Sequence, residues 1–385
     1  MILGIDASTA GSGGAKRHLI ELLQTFRPEN HGFSQIKVWG VEEVLAHIPA
    51  SPFITKITHP YLNKGVIYRM VWQIFCRDRV LKNQVDILFS PFGTYTGKIR
   101  PYVTMSRNML IFERNERKRF GLSLERLKFK LLGLVQKKSF ANASGIIFLS
   151  QHARSMVGKT LNLSKIETKI IHHGVSNSFR RAPKIQQPLG YYNNDNPFTF
   201  LYVSTIWVYK HPWNIVAAVA NLRSRNYPVA LNIVGNNEQK YAGRKLQDAI
   251  DRHDPDQKFV NWLKNVNLNG VSEHYKQAEA FVFASTCENM PNILIEAMSS
   301  GLPIASSSHS PMPEFLLDAG LYFEPTNVKE IECVLEKLLI DHKQRNSLSS
   351  RSYEYSKRYS WDKCANETFL FLQRVAKESK KISNV

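Results

Sequence analysis

Two glutamates, Glu288 and Glu296, stand eight residues apart in the segment of this 385-residue chain that says most about chemistry. Glu288 follows a short apolar strand predicted at 280–284, and Glu296 lies inside a helix predicted at 293–300. In an open α/β sheet, ligands bind in the loops beyond the carboxyl ends of the strands. Ionised carboxylates only accept hydrogen bonds, so this pair could hold the hydroxyls of a sugar or a ribose. A solvated loop glutamate and a helix-capping glutamate fit the spacing equally well.

A lysine and two glycines could offer positive charge and backbone donors to a phosphate. Lys210 follows a strand predicted at 198–203 and precedes a helix that begins near Trp213, so its ammonium group could neutralise a diphosphate. Gly13 and Gly14 follow the first predicted strand and open a helix, where backbone N–H groups can approach a phosphate closely. An ordinary surface lysine and a tight turn without a ligand are the alternatives.

The formal net charge of +19 favours polyanionic partners. Where the cations lie along the sequence indicates which kind of polyanion is the partner. Between residues 98 and 138 there are twelve Lys and Arg against three Glu. Leucines at helical spacing in 122–141 alternate with these cations, so the region 114–138 is predicted to form a basic amphipathic helix. Such a helix favours the surface of an anionic membrane, while a core-packed helix with a solvated basic face is equally consistent. No nucleic-acid-binding pattern accompanies the charge, so nucleic acid is not an expected partner.

Other features of the composition exclude several classes of protein. The four cysteines include no CxxC pair, which argues against a zinc site or a disulfide framework. No acidic cluster stands at a strand end, so we expect no metal cofactor. The first residues read as a strand and not as a signal peptide, and no apolar run is long enough to cross a bilayer. We therefore expect a cytoplasmic protein, with peripheral attachment to the inner face of the cytoplasmic membrane through the basic helix.

Strands alternate with helices along the chain, which predicts parallel βαβ units. Strands are predicted at 2–6, 36–39, 87–90, 102–105, 145–150 and 168–172, and then at 198–203, 230–234, 281–284, 303–306 and 321–323. Between the two series the chain is polar and poor in apolar residues. The fold class is therefore α/β, with two Rossmann-like doubly wound domains facing a cleft.

The same pattern predicts the domain boundaries. Residues 1–180 form the N-terminal domain, which would hold the acceptor, and residues 181–197 form a linker. Residues 198–360 form the C-terminal domain, which would hold the donor. A helix in 361–385 has one apolar face and is predicted to cross back to the N-terminal domain.

Taken in chain order, these motifs resemble the retaining glycosyltransferases of the family-4 type, which have the two-domain GT-B fold. The positions that stand where that family has them are the Gly13-Gly14 turn, Lys210, the Glu288-x7-Glu296 pair, Gly301-x-Pro303, Pro313-Glu314 and Ser360-Trp361. The resemblance covers nearly the whole chain and is stronger in its second half. The sequence Glu288-Asn289-Met290-Pro291-Asn292 is similar to that of enzymes that build O-antigen and capsular polysaccharide.

The resemblance implies a role for each site residue. A hexose would move from a UDP- or GDP-linked donor to a glycan or a lipid-linked acceptor with retention and without a metal. Glu288 would contact the transferred sugar, Glu296 the ribose, and Lys210 the departing diphosphate. The remaining implied donor-binding residues are Gly13, Gly14, Thr205, Asn289, Met290, Pro291, Asn292, Ile293 and Leu294.

Two positions depart from the family pattern. The family pairs its lysine with an arginine five or six residues earlier, where this chain has Thr205 and Ser204. It also often has a histidine after the strand that ends near Met105, where this chain has Arg107 followed by Asn108. Arg107 could supply the missing charge or, with Asn108, bind an anionic acceptor. A hydrolysing nucleotide-sugar epimerase and a non-catalytic binder of anionic polymers remain the alternative functions.

Overall fold

A computed structural model describes residues 1–10 and 14–383 of the chain. These residues divide into two compact units. The first unit comprises Met1–Arg114, Leu122–Gly174 and the C-terminal segment from Ser360, and the second comprises Asn115–Gly121 and Val175–Tyr359. The chain therefore passes between the units at several points, and a short piece of its first half belongs to the second unit.

The strands in chain order are β1 (Ile2–Ala7), β2 (Gln35–Gly40), β3 (Ile54–Ile57), β4 (Ile87–Ser90), β5 (Tyr102–Met105), β6 (Gly145–Phe148), β7 (Glu167–Ile170), β8 (Phe198–Val203), β9 (Val229–Val234), β10 (Val260–Leu263), β11 (Ala280–Phe283), β12 (Ile304–Ser307) and β13 (Leu321–Phe323). The α-helices are α1 (Gly14–Gln24), α2 (Pro28–His31), α3 (Glu42–Leu45), α4 (Pro60–Asn63), α5 (Val66–Val71), α6 (Arg77–Leu81), α7 (Arg114–Lys118), α8 (Leu124–Ala141), α9 (Gln151–Gly158), α10 (Pro212–Ser224), α11 (Lys240–His253), α12 (Leu268–Gln277), α13 (Asn292–Ser299), α14 (Met312–Leu316), α15 (Val328–Ile340), α16 (His342–Ser356) and α17 (Trp361–Ser383).

Each unit is built on one parallel sheet. In the first unit the strand order is β3-β2-β1-β4-β5-β6-β7, and in the second it is β10-β9-β8-β11-β12-β13. The order reverses direction beside β1 and beside β8, which are the topological switch points where open α/β sheets bind ligands. The predicted α/β class with two Rossmann-like doubly wound domains is confirmed.

Helix α17 belongs to the first unit. Its Phe369 ring packs against the rings of Phe26 and His31, with centroid separations of 5.0 and 4.7 Å. Phe371 lies against Gly145 on β6, where an added Cβ would come within 3.1 Å of its ring. The apolar face of the C-terminal helix is thus covered by elements of the first half of the chain.

The segment 181–197, which we predicted to be a linker, is packed against the second unit. The Arg181 amide donates to the Ser299 carbonyl at 2.9 Å, and Lys184 pairs with Glu279 at 2.7 Å. Gly301 has φ of +64°, and an added Cβ there would lie 2.7 Å from the backbone of Pro183. The polar composition that predicted a linker is explained by these bonds, because the polar groups are satisfied by the domain on which they lie.

The basic region 114–138 forms two helices instead of one. Helix α7 ends before Gly121, which has φ of +58°, and α8 begins at Leu124 under a Ser123 cap. Helix α8 packs through Gly133, Gln136, Ser139 and Phe140. Five of its apolar side chains are exposed: Leu124, Leu127, Leu131, Leu134 and Val135. In the described ranges no helix is both long enough and apolar enough to cross a membrane.

Candidate functional site

The loop after β8 holds Lys210 in a buried position. The Lys210 amide donates to the Trp207 carbonyl at 3.0 Å, and its own carbonyl accepts from the buried Tyr202 hydroxyl at 2.7 Å. His211 then takes a left-handed conformation, with φ of 49°, and Pro212 starts α10. The turn at Trp207, the Tyr202 anchor and the start of the helix together fix where the lysine side chain leaves the backbone.

The ammonium group of Lys210 forms an ion pair with the Glu288 carboxylate. Their side chains are only 6% and 15% exposed. Strands β8 and β11 are neighbours in the sheet, so the loops that follow them meet at the switch point. The structure thus brings together the two residues that the sequence placed after separate strands. Each buried charge stabilises the other, because a carboxylate or an ammonium group buried alone would lose its hydration without compensation.

The Glu288 carboxylate also affects the aromatic residues around the pair. Burial and then the nearby Glu288 charge raise the pKa of the Tyr209 hydroxyl. The Lys210 ammonium lies 5.3 Å from the centre of the Tyr209 ring and 5.4 Å from that of Phe283. The pair therefore lies in a low-dielectric pocket, where fixed charges act strongly on a bound ligand.

The segment from Asn289 to Leu294 forms a turn that runs into α13. Asn289, Met290 and Pro291 are buried, while Asn292 and Ile293 are partly accessible. The Asn292 amide donates to the Met290 carbonyl at 3.0 Å, and the Leu294 amide donates to the Pro291 carbonyl at 2.9 Å. Those two of the predicted backbone donors are therefore already engaged within the turn.

Glu296 lies on α13, partly buried. Burial and then the Glu296 carboxylate raise the pKa of the Tyr275 hydroxyl, which donates to the Ile293 carbonyl at 3.1 Å. Both predicted carboxylates thus belong to the β11–α13 connection, one before the helix and one within it. This is the geometry that the eight-residue spacing predicted.

The position where a second cation was missing is neutral in the structure as well. Thr205 is exposed after β8, and the Ser204 hydroxyl donates to the Thr205 carbonyl at 2.9 Å. The Ser204 amide donates to the Val234 carbonyl of β9 at 3.0 Å. The loop therefore carries one cation, Lys210, between β8 and α10.

The other predicted residues belong to the first unit. The Arg107 guanidinium donates to the Gly14 carbonyl at 3.2 Å, and burial lowers the pKa of Arg107 to about 10. The Asn108 side chain accepts from the Leu110 amide at 3.0 Å and so caps a short helix. Gly13 lies outside the described residues. Arg107 and Gly14, predicted separately, are therefore neighbours.

Sequence reasoning missed a cluster beside the Lys210–Glu288 pair. The Thr286 hydroxyl donates to the Glu116 carboxylate at 2.5 Å, and the His211 Nε2 lies 3.4 Å from the same hydroxyl oxygen. Arg119 Nε lies 2.9 Å from Glu116 Oε2. The one signal in the sequence was an acid, Glu116, within a run of cations.

No group of three or more His, Cys, Asp and Glu residues that could hold a metal ion occurs among the described residues.

Part of the chain matches a known protein family. Residues 188–355 match the family described as "Glycosyl transferases group 1". The O-antigen chain mannosyltransferase B of Escherichia coli is 33% identical over 29% of this chain and 29% of its own length. The chain spans about half, or less, of the length of such curated relatives.

Solved structures extend the likeness to both units. The Anabaena protein Alr3699/HepE, crystallised with UDP and glucose, has a TM-score of 0.67 at 17% identity, covering 99% of this chain and 100% of that one. WaaG, a glycosyltransferase involved in lipopolysaccharide biosynthesis, has a TM-score of 0.69 at 16% identity, covering 96% and 99%. At such identities the likeness shows the fold, and the two parallel-sheet units have the GT-B fold.

Proposed function

We propose that this chain, whose residues 188–355 form a group 1 glycosyl transferase domain within a GT-B fold, is a retaining glycosyltransferase. It would move a hexose from a nucleotide-diphosphate sugar to a glycan or lipid-linked acceptor in bacterial surface polysaccharide synthesis. The observation that carries the proposal is the buried Lys210–Glu288 pair at the switch point of the second sheet. The O-antigen and lipopolysaccharide enzymes among its relatives support the pathway.

The chemical task is to break an anomeric C–O bond while the nucleoside diphosphate leaves. Negative charge grows on the diphosphate in the transition state, and Lys210 is the cation that would stabilise it. This ammonium pairs with Glu288, so the donor would take over part of that interaction. The acceptor hydroxyl would attack from the face that the diphosphate leaves and give its proton to the departing phosphate.

The two glutamates would divide the donor between them. Glu288, beside Lys210, would accept hydrogen bonds from hydroxyls of the transferred sugar. Glu296, one turn or more into α13, would accept from the ribose hydroxyls. We propose a UDP- or GDP-linked hexose as donor, and the UDP and glucose bound by the related Anabaena protein support the first of these.

A screen of nucleoside diphosphates tests donor binding directly. A ligand that binds only the folded protein stabilises it by RT ln(1 + [L]/Kd), so UDP or GDP should raise the melting temperature at concentrations above Kd. The corresponding nucleoside should do so far less, because it lacks the diphosphate. A non-catalytic binder of anionic polymers would instead show no nucleotide response and a steep loss of polymer binding with salt.

We propose that the reaction needs no divalent metal, because Lys210 supplies positive charge to the leaving diphosphate. Dialysis against EDTA should therefore leave the initial rate of nucleotide-sugar turnover within about twofold of the untreated enzyme. Mg²⁺ and Mn²⁺ are each added back as the control for chelator effects on the assay. A loss of activity that either ion restores would contradict metal independence.

The exposed leucines of α8 support attachment to an anionic membrane. The helix packs through Gly133, Gln136, Ser139 and Phe140, and most of its leucines are exposed beside lysines, unlike the apolar face of a helix packed on a core. A second exposed apolar set, Val66, Ile67, Met70, Ile74 and Phe75, lies in the same unit. Apolar side chains interleaved with lysines suit the boundary between headgroups and acyl chains.

Replacing Lys128 and Lys130 with glutamine should weaken binding to vesicles that contain anionic lipid. Each lysine near such a surface contributes about 1 kcal/mol, so the pair should change the partition constant roughly 30-fold. Sedimentation with vesicles measures this, and the exposed Lys329 and Lys343 of the second unit, changed in the same way, provide the matched control. Equal losses in both double variants would mean that α8 is not the attachment site.

A further inference from the structure

The segment Asn115–Gly121 belongs to the second unit although it lies in the first half of the chain. The Phe120 ring is buried and packs near Trp207, with 6.2 Å between ring centroids. Trp207 is part of the turn that holds the Lys210 backbone. The segment thus contacts the loop after β8.

A second contact joins the segment to the loop after β11. The Glu116 carboxylate is buried and accepts from the Thr286 hydroxyl at 2.5 Å. Thr286 in turn donates its amide to the Tyr209 carbonyl at 2.9 Å. Because Thr286 is two residues from Glu288 and Tyr209 is next to Lys210, Glu116 is bonded to the framework that carries both candidate catalytic side chains.

The buried Glu116 carboxylate also holds Arg119. Arg119 Nε lies 2.9 Å from Glu116 Oε2, while the Arg119 side chain remains 33% exposed. Within the described part of the chain, Glu116 is the one hydrogen-bond partner of that guanidinium. An arginine held at Nε presents its terminal nitrogens as a fixed fork, which is the arrangement that binds phosphate oxygens well.

The charge of Arg119 acts on two other basic side chains, His211 and Lys245. Burial, then Arg119 and Lys245, lower the pKa of His211 to about 3 against the opposing effect of Glu324, so this imidazole is neutral at physiological pH. Burial and then Arg119 lower the pKa of Lys245. Glu116 is paired with Arg119, and Glu288 is paired with Lys210. Lys245 adds a further cation near Arg119. An anion placed beside Arg119 would relieve this repulsion between like charges.

We propose that Arg119 binds the diphosphate of the nucleotide sugar and so supplies the second cation that Thr205 does not. The inference rests on the proposed function, since it assigns a residue to the same donor site. It makes Arg119 a donor-binding residue and Glu116 a positioning residue that orients it. The cation would thus come from a segment about 90 residues away in sequence from the loop that holds Lys210.

Calorimetric titration of UDP and GDP, and of the matching monophosphates, tests this assignment. Arg119→Ala should weaken nucleoside diphosphate binding about tenfold, as expected for loss of a charged hydrogen bond, and monophosphate binding by less than about threefold. Arg119→Lys, which keeps the charge and loses the fork, should lie between wild type and Arg119→Ala. Lys118→Ala, at the exposed neighbouring cation, is the matched control and should bind like wild type.

The outcomes separate this inference from the proposed function. If neither diphosphate binds the wild-type protein, the proposed function itself fails. If Lys210→Ala weakens diphosphate binding and Arg119→Ala matches Lys118→Ala, the donor site stands and the assignment of Arg119 is overturned. An equal loss of mono- and diphosphate affinity in Arg119→Ala would also overturn it, because that residue would then act on the nucleoside or on the loop. If Arg119→Ala has a lowered melting temperature, the diphosphate affinity of Arg119→Lys is compared with that of wild type instead, and an unchanged affinity would overturn the assignment.

Discussion

Lys210→Ala should lower kcat/KM for the nucleotide sugar by about 10²–10³-fold, which is the typical effect of removing one fixed donor from developing negative charge. The effect should be large because the ammonium group lies in a buried pocket, where water cannot replace it. Steady-state release of the nucleoside diphosphate in the presence of acceptor measures the rate. A loss seen mainly in kcat would place the interaction in the transition state.

Two controls separate chemistry from folding. Lys210→Met keeps most of the side-chain volume and should lose as much activity as Lys210→Ala. Lys329→Ala removes an exposed lysine from α15 of the same unit and should leave the rate unchanged. Circular dichroism and melting temperature show whether each variant is folded. Turnover near the wild-type rate in a folded Lys210→Met protein would remove this residue from the mechanism.

Glu288→Gln should lower kcat about 100-fold, at the upper range of what one charged hydrogen bond contributes. The amide keeps the shape of the carboxylate and can still accept from Lys210, so the loss reports the negative charge that the sugar hydroxyls would meet. Glu296→Gln should instead raise KM for the donor about tenfold with kcat nearly retained, because ribose binding is the same in ground and transition states.

The two glutamine variants should differ in which kinetic constant changes: kcat in Glu288→Gln and KM in Glu296→Gln. The residues belong to one loop–helix connection, so a general disturbance of the loop would change both variants in the same way. Equal changes of kcat in both would contradict the division between sugar and nucleoside. If Glu288→Gln raised only KM, the carboxylate would be a binding group with no part in the chemical step.

The Lys210–Glu288 contact could be predicted from sequence because it follows from topology. Both residues come directly after strongly apolar strands, and βαβ succession places such loops at one edge of a parallel sheet. The strands that the sequence missed, β3 and β10, are partly exposed and carry polar residues such as Lys56 and Asn261. Both strands lie at an edge of their sheet, and they lack the continuous apolar run of a strand covered on both faces.

The Glu116–Thr286 contact could not be predicted in that way. It joins residues 170 positions apart, and neither periodicity nor strand order relates them. The charge run around Arg119 suggested a membrane surface, whereas the structure places Asn115–Gly121 in the second unit. For the segment 181–197 the polar composition predicted a linker, but polar side chains that bond to a domain have the same composition as those of a solvated linker.

Sugar transfer is the most direct test of the proposed function. The protein is incubated with UDP- or GDP-hexose and with lipid and polysaccharide acceptors from its source, and nucleoside diphosphate and acceptor mass are followed together. Nucleoside diphosphate release should depend on acceptor, the acceptor should gain one hexose, and the anomeric configuration of the donor should be kept. Release at the same rate without acceptor, with no gain in acceptor mass, would contradict it and indicate hydrolysis of the nucleotide sugar.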